Sequence, residues 1–189
     1  MSLEQLIRER RTIRKFNTSP VPQDLVIQLL KKAEQLCPYE GKARWRYIYA
    51  GSPEERARLT DYLLEKIIDN KIAKIALGPL LKPYQKLFSE VPAYIIVLTK
   101  REAEPLKDDA TYGTVCRILQ NFQLLAWEQG LGMTWRTEPF IQNELFFGNI
   151  GLQEDERFVG IMLLGHFDKT PKGRSRTPAE QRWTVIGGS

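Results

Sequence analysis

Two short stretches of the sequence are apolar at almost every position. Residues 93–99 (Ala-Tyr-Ile-Ile-Val-Leu-Thr) and residues 157–164 (Arg-Phe-Val-Gly-Ile-Met-Leu-Leu) are rich in aliphatic and β-branched side chains. Runs of this kind are typical of strands that are buried on both faces. A sheet covered on both faces needs helices on each side, so we expect one layered α+β or α/β fold.

The segments around these runs alternate between helical and extended patterns. Apolar residues recur at helical spacing near residues 2–10, 25–36, 52–69 and 115–130, and strand patterns occur at 45–50 and 133–135. Ser2 with Gln5 and Ser52 with Glu55 are capping boxes, and Gly130 can cap the last helix. Residues 70–90 have helical spacing that Gly78-Pro79 and Pro83 interrupt, which predicts short helices and a loop.

The composition fits one globular domain that spans residues 1–189. Of the 189 residues 42% are hydrophobic and 27% are charged, and no internal repeat or linker divides the chain. No apolar run approaches the roughly 18 residues that a membrane span needs. The N-terminus lacks the basic-then-apolar order of a secretory signal, so we expect a cytoplasmic protein.

Few side chains in this sequence suit catalysis without a cofactor. The chain has two cysteines, Cys37 and Cys116, and one histidine, His166. Two cysteines without a Cys-x-x-Cys or Cys/His spacing form neither a disulfide framework nor a zinc site. A multi-histidine metal centre is excluded, and we expect no metal site. An enzyme with this sequence would take its chemistry from an organic cofactor.

A basic cluster near the N-terminus is the first candidate for a binding site. Arg10, Thr12 and Arg14 are spaced by two, so in an extended segment they point the same way while Ile13 points inward. Two guanidinium groups with a hydroxyl between them suit a phosphate group. The alternative is a solvated helix end whose cations complement the helix dipole.

The C-terminal tail, residues 169–189, repeats this pattern. Lys172-Gly173-Arg174-Ser175-Arg176 again places two arginines two residues apart. The tail is polar apart from Trp183, Val185 and Ile186, so it cannot form a core of its own. Tails of this kind often pack on a partner subunit.

A third basic stretch, residues 42–47 (Lys-Ala-Arg-Trp-Arg-Tyr), interleaves cations with aromatic rings. This pattern raises single-stranded nucleic acid as an alternative ligand. The net charge of +5 is modest, and acidic runs separate the basic clusters. Neither a dinucleotide-binding glycine motif nor a P-loop is present.

Residues 7–16 (Ile-Arg-Glu-Arg-Arg-Thr-Ile-Arg-Lys-Phe) closely resemble the Arg-Arg-Ser-Ile-Arg-Lys-Phe opening of the FMN-dependent nitroreductase family. Residues 89–97 are similar to the family's Ala-Pro-apolar strand, and residues 130–135 to its Gly-x-Gly-x-x-Trp segment. Residues 159–165 are similar to its last core strand. These motifs occur in the family's order, and the likeness covers essentially the whole chain.

The resemblance implies an α+β sandwich with a mostly antiparallel central sheet flanked by helices. It also implies a homodimer with exchanged C-terminal tails and a flavin site at the interface. The residues that would bind FMN come from four segments: Arg10, Arg11, Thr12 and Arg14; Pro38, Tyr39, Gly41 and Lys42 from the other subunit; Trp135, Arg136, Thr137 and Glu138; and Arg174 and Arg176. The backbone of the third segment would lie beside the reactive flavin nitrogen.

Two departures from the family pattern affect recognition of the flavin ring. The family often has Asn-x-Gln-Pro-Trp before the first strand, whereas this chain has Lys42-Ala43-Arg44-Trp45. Where many members have glycine, this chain has Glu138-Pro139, and Pro139 removes a possible backbone donor.

The function that the resemblance implies is transfer of reducing equivalents from NADH or NADPH, through FMN, to a nitroaromatic, a quinone or a similar acceptor by a ping-pong mechanism. The flavin does the chemistry, so no catalytic side chain is named. One alternative is a family member that dehalogenates or fragments its substrate. Another is a protein that binds flavin or single-stranded nucleic acid without redox turnover.

Overall fold

The computed structural model describes residues 2–68, 88–139, 141–175, 178, 182–184 and 186. The helices are α1 (Leu3–Glu9), α2 (Gln23–Gln35), α3 (Pro53–Ile68), α4 (Pro105–Glu128) and α5 (Glu144–Asn149). The strands are β1 (Trp45–Ala50), β2 (Ala93–Lys100), β3 (Leu131–Arg136) and β4 (Glu156–His166). The short helices expected at 70–87 lie outside the described residues, as do Arg176 and Val185.

The four strands form an antiparallel sheet in the order β1-β2-β4-β3. β2 and β4 are the two apolar runs of the sequence, and they occupy the centre of the sheet. Residues 93–98 of β2 and 161–164 of β4 are at most 1% exposed. The prediction of strands buried on both faces is therefore confirmed, as is the α+β class with helices flanking an antiparallel sheet.

Side chains of β2 alternate between two cores, one on each face of the sheet. Ile95 and Val97 pack with apolar residues of α2 and α4, such as Val26 and Val115. Tyr94, on the opposite face, packs with apolar residues of α3 and α5, among them Leu63 and Phe146. This period of two is what places one helical layer on each side of the sheet.

The helix ends follow the local signals in the sequence. The Ser2 hydroxyl accepts a hydrogen bond from the Gln5 backbone N–H at 3.2 Å. Ser52 and Glu55 cap each other reciprocally, with bonds of 3.1 and 3.0 Å. Gly130 follows α4 with a φ of 71°, which glycine adopts at little cost.

α4 begins earlier than the apolar spacing predicted. That spacing starts at Val115, but the helix starts at Pro105. The intervening turns carry polar residues such as Asp108 and Asp109, which are half-buried or exposed. The buried residues of α4 begin only at Thr114, so the preceding turns carry no apolar period. Within the described part of the chain, no helix is both long and apolar enough to cross a membrane.

Candidate functional site

Residues 12–17 run beside the edge strand β3. Thr12 forms a parallel bridge with Met133, and the Ile13 N–H donates to the Met133 carbonyl at 3.0 Å. Ile13 is only 1% exposed, so it points inward as the period of two predicted. It packs directly on Gly132, where a methyl group would lie 2.3 Å from Ile13 Cγ1. Glycine at position 132 is what allows this segment to approach the sheet.

A cavity of about 470 Å³ opens along this segment, and we call it the edge groove. It is lined by residues 12–16 and by residues 168–171 at the start of the tail. Arg14 and Lys15 are exposed there. The one carboxylate in the lining, Asp168, accepts a hydrogen bond from the Asn17 amide at 2.9 Å. The groove therefore has a positive character that suits an anionic group.

The two basic clusters of the sequence meet beside the edge groove. Arg11 Nη1 donates to the backbone carbonyls of Arg8 and Arg10. Its other terminal nitrogen lies 2.8 Å from where a methyl group at Gly173 would be. The buried Arg11 Nε has no hydrogen-bond partner among the described residues. The tail thus lies against the N-terminal cluster, with a buried donor left over where they meet.

The remaining arginines of the two clusters are placed differently. Arg10 Nη1 lies 3.4 Å from the Gln123 side-chain oxygen on α4. Arg174 is exposed, one residue beyond Gly173. Arg176, the other predicted tail residue, lies outside the described residues.

Residues 135–138 span the end of β3. The Trp135 indole N–H donates to the Val159 carbonyl at 3.2 Å, which turns this ring onto the sheet. Arg136 and Glu138 form an ion pair with each other, and the Gln142 amide donates to the Thr137 carbonyl at 2.6 Å. Contacts with Val159 and Gln142, together with the Arg136–Glu138 ion pair, therefore hold this segment in place.

Pro38, Tyr39, Gly41 and Lys42 lie in a different cavity, of about 680 Å³, which we call the loop groove. Its lining comes from residues 38–45 and from the polar face of α4. No described residue lines both the loop groove and the edge groove. Within one chain, the structure therefore does not bring these four residues to the other predicted site residues.

Several residues that line the loop groove were missed in the sequence. Lys107, Ala110, Thr111, Thr114 and Arg117 all come from α4. Their steps of three and four residues place them on one face of the helix. The polar residues of α4 recur at helical spacing, and this spacing could have indicated a polar helix face. Only the apolar spacing of the same helix was used for the prediction.

Other reactive or ionisable groups do not form a catalytic constellation. Cys37 is buried, and burial raises the pKa of the half-buried Cys116, so this thiol stays protonated at neutral pH. Two hydrogen bonds from Arg46, both 2.8 Å long, lower the pKa of the buried Glu156 to about 2. Among the described residues, no three His, Cys, Asp or Glu side chains are grouped to hold a metal ion.

Comparison with known proteins gives a consistent result. The sequence model of the Nitroreductase family matches residues 7–166. A relative from Bacillus subtilis (strain 168), provisionally named NAD(P)H nitroreductase YfhC, is 30% identical over 184 residues, which are 97% of this chain and 94% of the relative.

Two solved structures illustrate the similarity of fold. The nitroreductase-like family protein from Bacillus cereus is 34% identical, with a TM-score of 0.88 over 100% of this chain and 97% of that chain. The FMN and NADPH-dependent nitroreductase NfnB from sphigopyxis sp. strain HMH is 16% identical, with a TM-score of 0.77 over 99% and 100% of the two chains.

Proposed function

The chain belongs to the nitroreductase family, and from that premise we propose how it handles reducing equivalents. It is an NAD(P)H-dependent flavin oxidoreductase that uses FMN. In the proposed reaction, NADH or NADPH reduces the bound flavin and leaves, and a nitroaromatic, a quinone or a similar acceptor then takes its place. Residues 1–189 act as one FMN-binding domain.

The edge groove is the observation that carries this proposal. A flavin phosphate is bound best by positively charged hydrogen-bond donors. Thr12 and Arg14 line the groove, the spare Arg11 Nε lies beside it, and Arg10 is close in sequence. Arg174 and Arg176 in the tail would complete the phosphate site. The residues present therefore fit the phosphate-bearing end of FMN.

The ring end of FMN would lie against the backbone of residues 135–138. The Arg136–Glu138 ion pair and the Gln142–Thr137 hydrogen bond fix that backbone. Pro139 has no N–H, so donors to the ring must come from the residues before it. This arrangement supports Trp135, Arg136, Thr137 and Glu138 as positioning groups and assigns no proton transfer to their side chains.

When bound, FMN accepts a hydride from the reduced nicotinamide and supplies electrons to the acceptor. The chain's own contribution is to bind and orient the cofactor. Arg14, exposed in the edge groove, would offer a positive charge to the negatively charged bound flavin. No side chain of the described residues is needed as a general acid.

The proposed assembly is a homodimer in which each tail packs on the partner. Trp183 is 77% exposed and Ile186 is 100% exposed in the single chain, although both are large apolar residues. A permanent dimer typically buries more than about 2,000 Å². In such a dimer, Pro38, Tyr39, Gly41 and Lys42 would reach the partner's flavin, because they lie away from the edge groove of their own chain.

An absorbance experiment tests the proposed function. The purified protein, loaded with FMN, is titrated anaerobically with NADH or NADPH, and bleaching of the flavin bands is expected. Initial rates at several acceptor concentrations should then give parallel double-reciprocal lines, as expected when the donor and the acceptor occupy the same site one after the other. Flavin that stays oxidised with both donors would contradict the proposal, and intersecting lines would contradict the single shared site.

The main alternative is binding of flavin or single-stranded nucleic acid without turnover. The basic stretch 42–47 was the argument for nucleic acid, but two of its three cations pair with carboxylates within the chain. Arg44 pairs with Glu102 and Arg46 with Glu156, each at 2.8 Å. A protein that shifts RNA on a gel and does not oxidise either nicotinamide would favour this alternative. Release of halide from a halogenated substrate would favour a dehalogenating family member.

A further inference from the structure

The loop groove has the features of a nucleotide site. It lies between residues 38–45 and the polar face of α4, and at about 680 Å³ it has the size of a small-molecule pocket. Its lining combines cations, hydroxyl groups of Thr111 and Thr114, and aromatic rings. Pockets with one apolar wall and a few convergent polar groups are the usual sites for ligands of this class.

The charges in the loop groove are not balanced. Lys42, Arg44, Lys107 and Arg117 line it together with only two carboxylates, from Glu40 and Glu102. Arg44 is paired with Glu102, but neither Lys42 nor Arg117 lies within ion-pair distance of a carboxylate among the described residues. Lys107 pairs with Glu104 at the exposed surface, and such a pair is easily exchanged for a better partner.

The position of Arg117 is fixed by its own helix. Its Nη2 donates to the Thr114 hydroxyl at 3.0 Å, and that hydroxyl donates to the Ala110 carbonyl at 2.9 Å. The guanidinium is thereby held along the groove wall while its other nitrogens stay available. An arginine oriented in this way can donate two parallel hydrogen bonds to a phosphate.

Two aromatic residues, Tyr39 and Trp45, also line the loop groove and form its aromatic wall. The rings of Tyr39 and Trp45 meet edge to face, with centroids 4.8 Å apart and planes at 78°. The Trp45 indole N–H donates to the Glu34 carboxylate at 2.6 Å, which fixes the indole. Tyr39 is 41% exposed, so part of its ring is available to a flat ligand. A planar base can stack on such a wall while its phosphates reach the cations.

We propose that the loop groove binds the adenosine half of NADPH and that this chain prefers NADPH to NADH. This inference rests on the proposed function, because Tyr39 and Lys42 belong both to the loop groove and to the segment proposed to face the partner's flavin. A donor whose nicotinamide lay on that flavin would extend its phosphates and adenosine into the loop groove. The 2′-phosphate that distinguishes NADPH adds about two negative charges, and the unbalanced cations of the groove favour it.

The test uses a ligand that needs no turnover. Binding of adenosine 2′,5′-bisphosphate and of adenosine 5′-monophosphate to the FMN-loaded protein is measured by titration calorimetry. The bisphosphate should bind at least about tenfold more tightly, because it carries the additional phosphate. In Arg117→Gln, its affinity should fall about tenfold, while that of the monophosphate should change less than about threefold.

A matched control distinguishes the effect of a charge in the loop groove from the effect of the net charge of the protein. Arg58→Gln removes the same charge from α3, on the opposite face of the sheet, and should leave both affinities unchanged. Lys107→Gln serves as a second variant of the groove, and the ion pair of Lys107 with Glu104 lies at the exposed surface. Both groove variants should raise KM for NADPH more than KM for NADH.

The outcomes distinguish this inference from the proposed function. Reoxidation by a quinone, after chemical reduction of the flavin with dithionite, should be the same in wild type and Arg117→Gln. A protein that turns over NADPH but binds the bisphosphate no more tightly than the monophosphate would overturn the inference alone. Bisphosphate binding that both groove variants leave intact would also overturn it. Failure of flavin reduction by both NADH and NADPH would contradict the proposed function. The calorimetry would still show whether the loop groove binds the bisphosphate.

Discussion

The cations around Glu156 lie against a buried carboxylate, whereas the cations of the edge groove line a cavity. At the sheet end where β4 begins, Arg46 forms two hydrogen bonds with Glu156, and Lys100 lies 3.7 Å from the same carboxylate. In the edge groove, Arg14 and Lys15 face a cavity whose only carboxylate, among the residues that line it, accepts a hydrogen bond from Asn17.

The difference separates cations that stabilise the fold from cations that are free to bind. Glu156 has a side chain only 3% exposed, so removing its partner would leave a buried charge. The edge-groove cations are exposed, and their loss leaves no buried charge behind. Changes at the first region should therefore alter the free energy of unfolding, and changes at the second should alter FMN affinity.

Removal of the tail should have the largest effect on the edge groove. A chain that ends at Asp168 lacks one wall of the groove, residues 169–171, together with Arg174 and Arg176. We expect it to lose both the dimer and FMN while circular dichroism still reports a folded chain, because the sheet ends at His166. Light scattering after size exclusion and the flavin absorbance measure the two losses.

The control for this truncation is the full-length protein under the same conditions. It should be a dimer loaded with FMN. A full-length monomer near 21.9 kDa that is saturated with FMN would rule out the exchanged-tail arrangement.

Glu156→Gln should lower the free energy of unfolding by about 1.5 to 3 kcal/mol, because Arg46, whose side chain is 39% exposed, loses its charged hydrogen-bond partner. Urea denaturation measures this difference, and FMN affinity should change little. An equal loss of FMN affinity would contradict the separation between the two regions.

The pH dependence of the same variant sharpens the comparison. The pKa of Glu156 falls from 4.5 to about 2 in the folded protein, so its contribution to stability is present above pH 4.5. That contribution is lost as pH falls from 4.5 toward 2. The difference in unfolding free energy between wild type and Glu156→Gln should therefore shrink over this interval. A difference that stays constant would mean that Glu156 does not carry this charge interaction.

Arg10→Ala should weaken FMN binding by about 1.5 to 3 kcal/mol, the usual size for a hydrogen bond to a charged group. The unfolding free energy of the flavin-free protein should change much less. Arg8→Ala is the matched control, because Arg8 is an exposed arginine on α1 whose ion pair is with Glu4. Fluorescence titration with FMN measures both variants, and equal affinities would refute the phosphate assignment.

His166→Asn should have the smallest effect. Turnover is expected to stay within a few-fold of wild type, because no step of the proposed reaction needs an imidazole. The contact of His166 with the N-terminal segment uses its backbone carbonyl, which accepts from the Asn17 N–H at 2.9 Å and survives the substitution. A large fall in kcat, with FMN still bound, would show that a proton-transfer role was overlooked.

The sequence by itself determined the features that depend on near neighbours. β1 has its predicted bounds, and Ser52 with Glu55 caps α3, because strand patterns and caps involve residues within a few positions of one another. The inward turn of Ile13 followed from the period of an extended chain. The start of α4 did not follow, because its buried residues begin only at Thr114 and its first turns carry no apolar period.

Only the tertiary structure decided the role of each cation. Residues 42–47 read as one basic and aromatic cluster, yet the fold separates them. Arg46 pairs with a glutamate 110 positions away, Arg44 pairs with Glu102, and Lys42 faces the loop groove. A charge is neutralised or left available by the groups that folding brings within a few ångströms, and Coulomb energy depends on that distance and on burial. The local sequence contains neither the distance nor the burial. The sequence could therefore predict which cations are candidates for binding, but only the tertiary structure distinguishes them from the cations that form structural ion pairs.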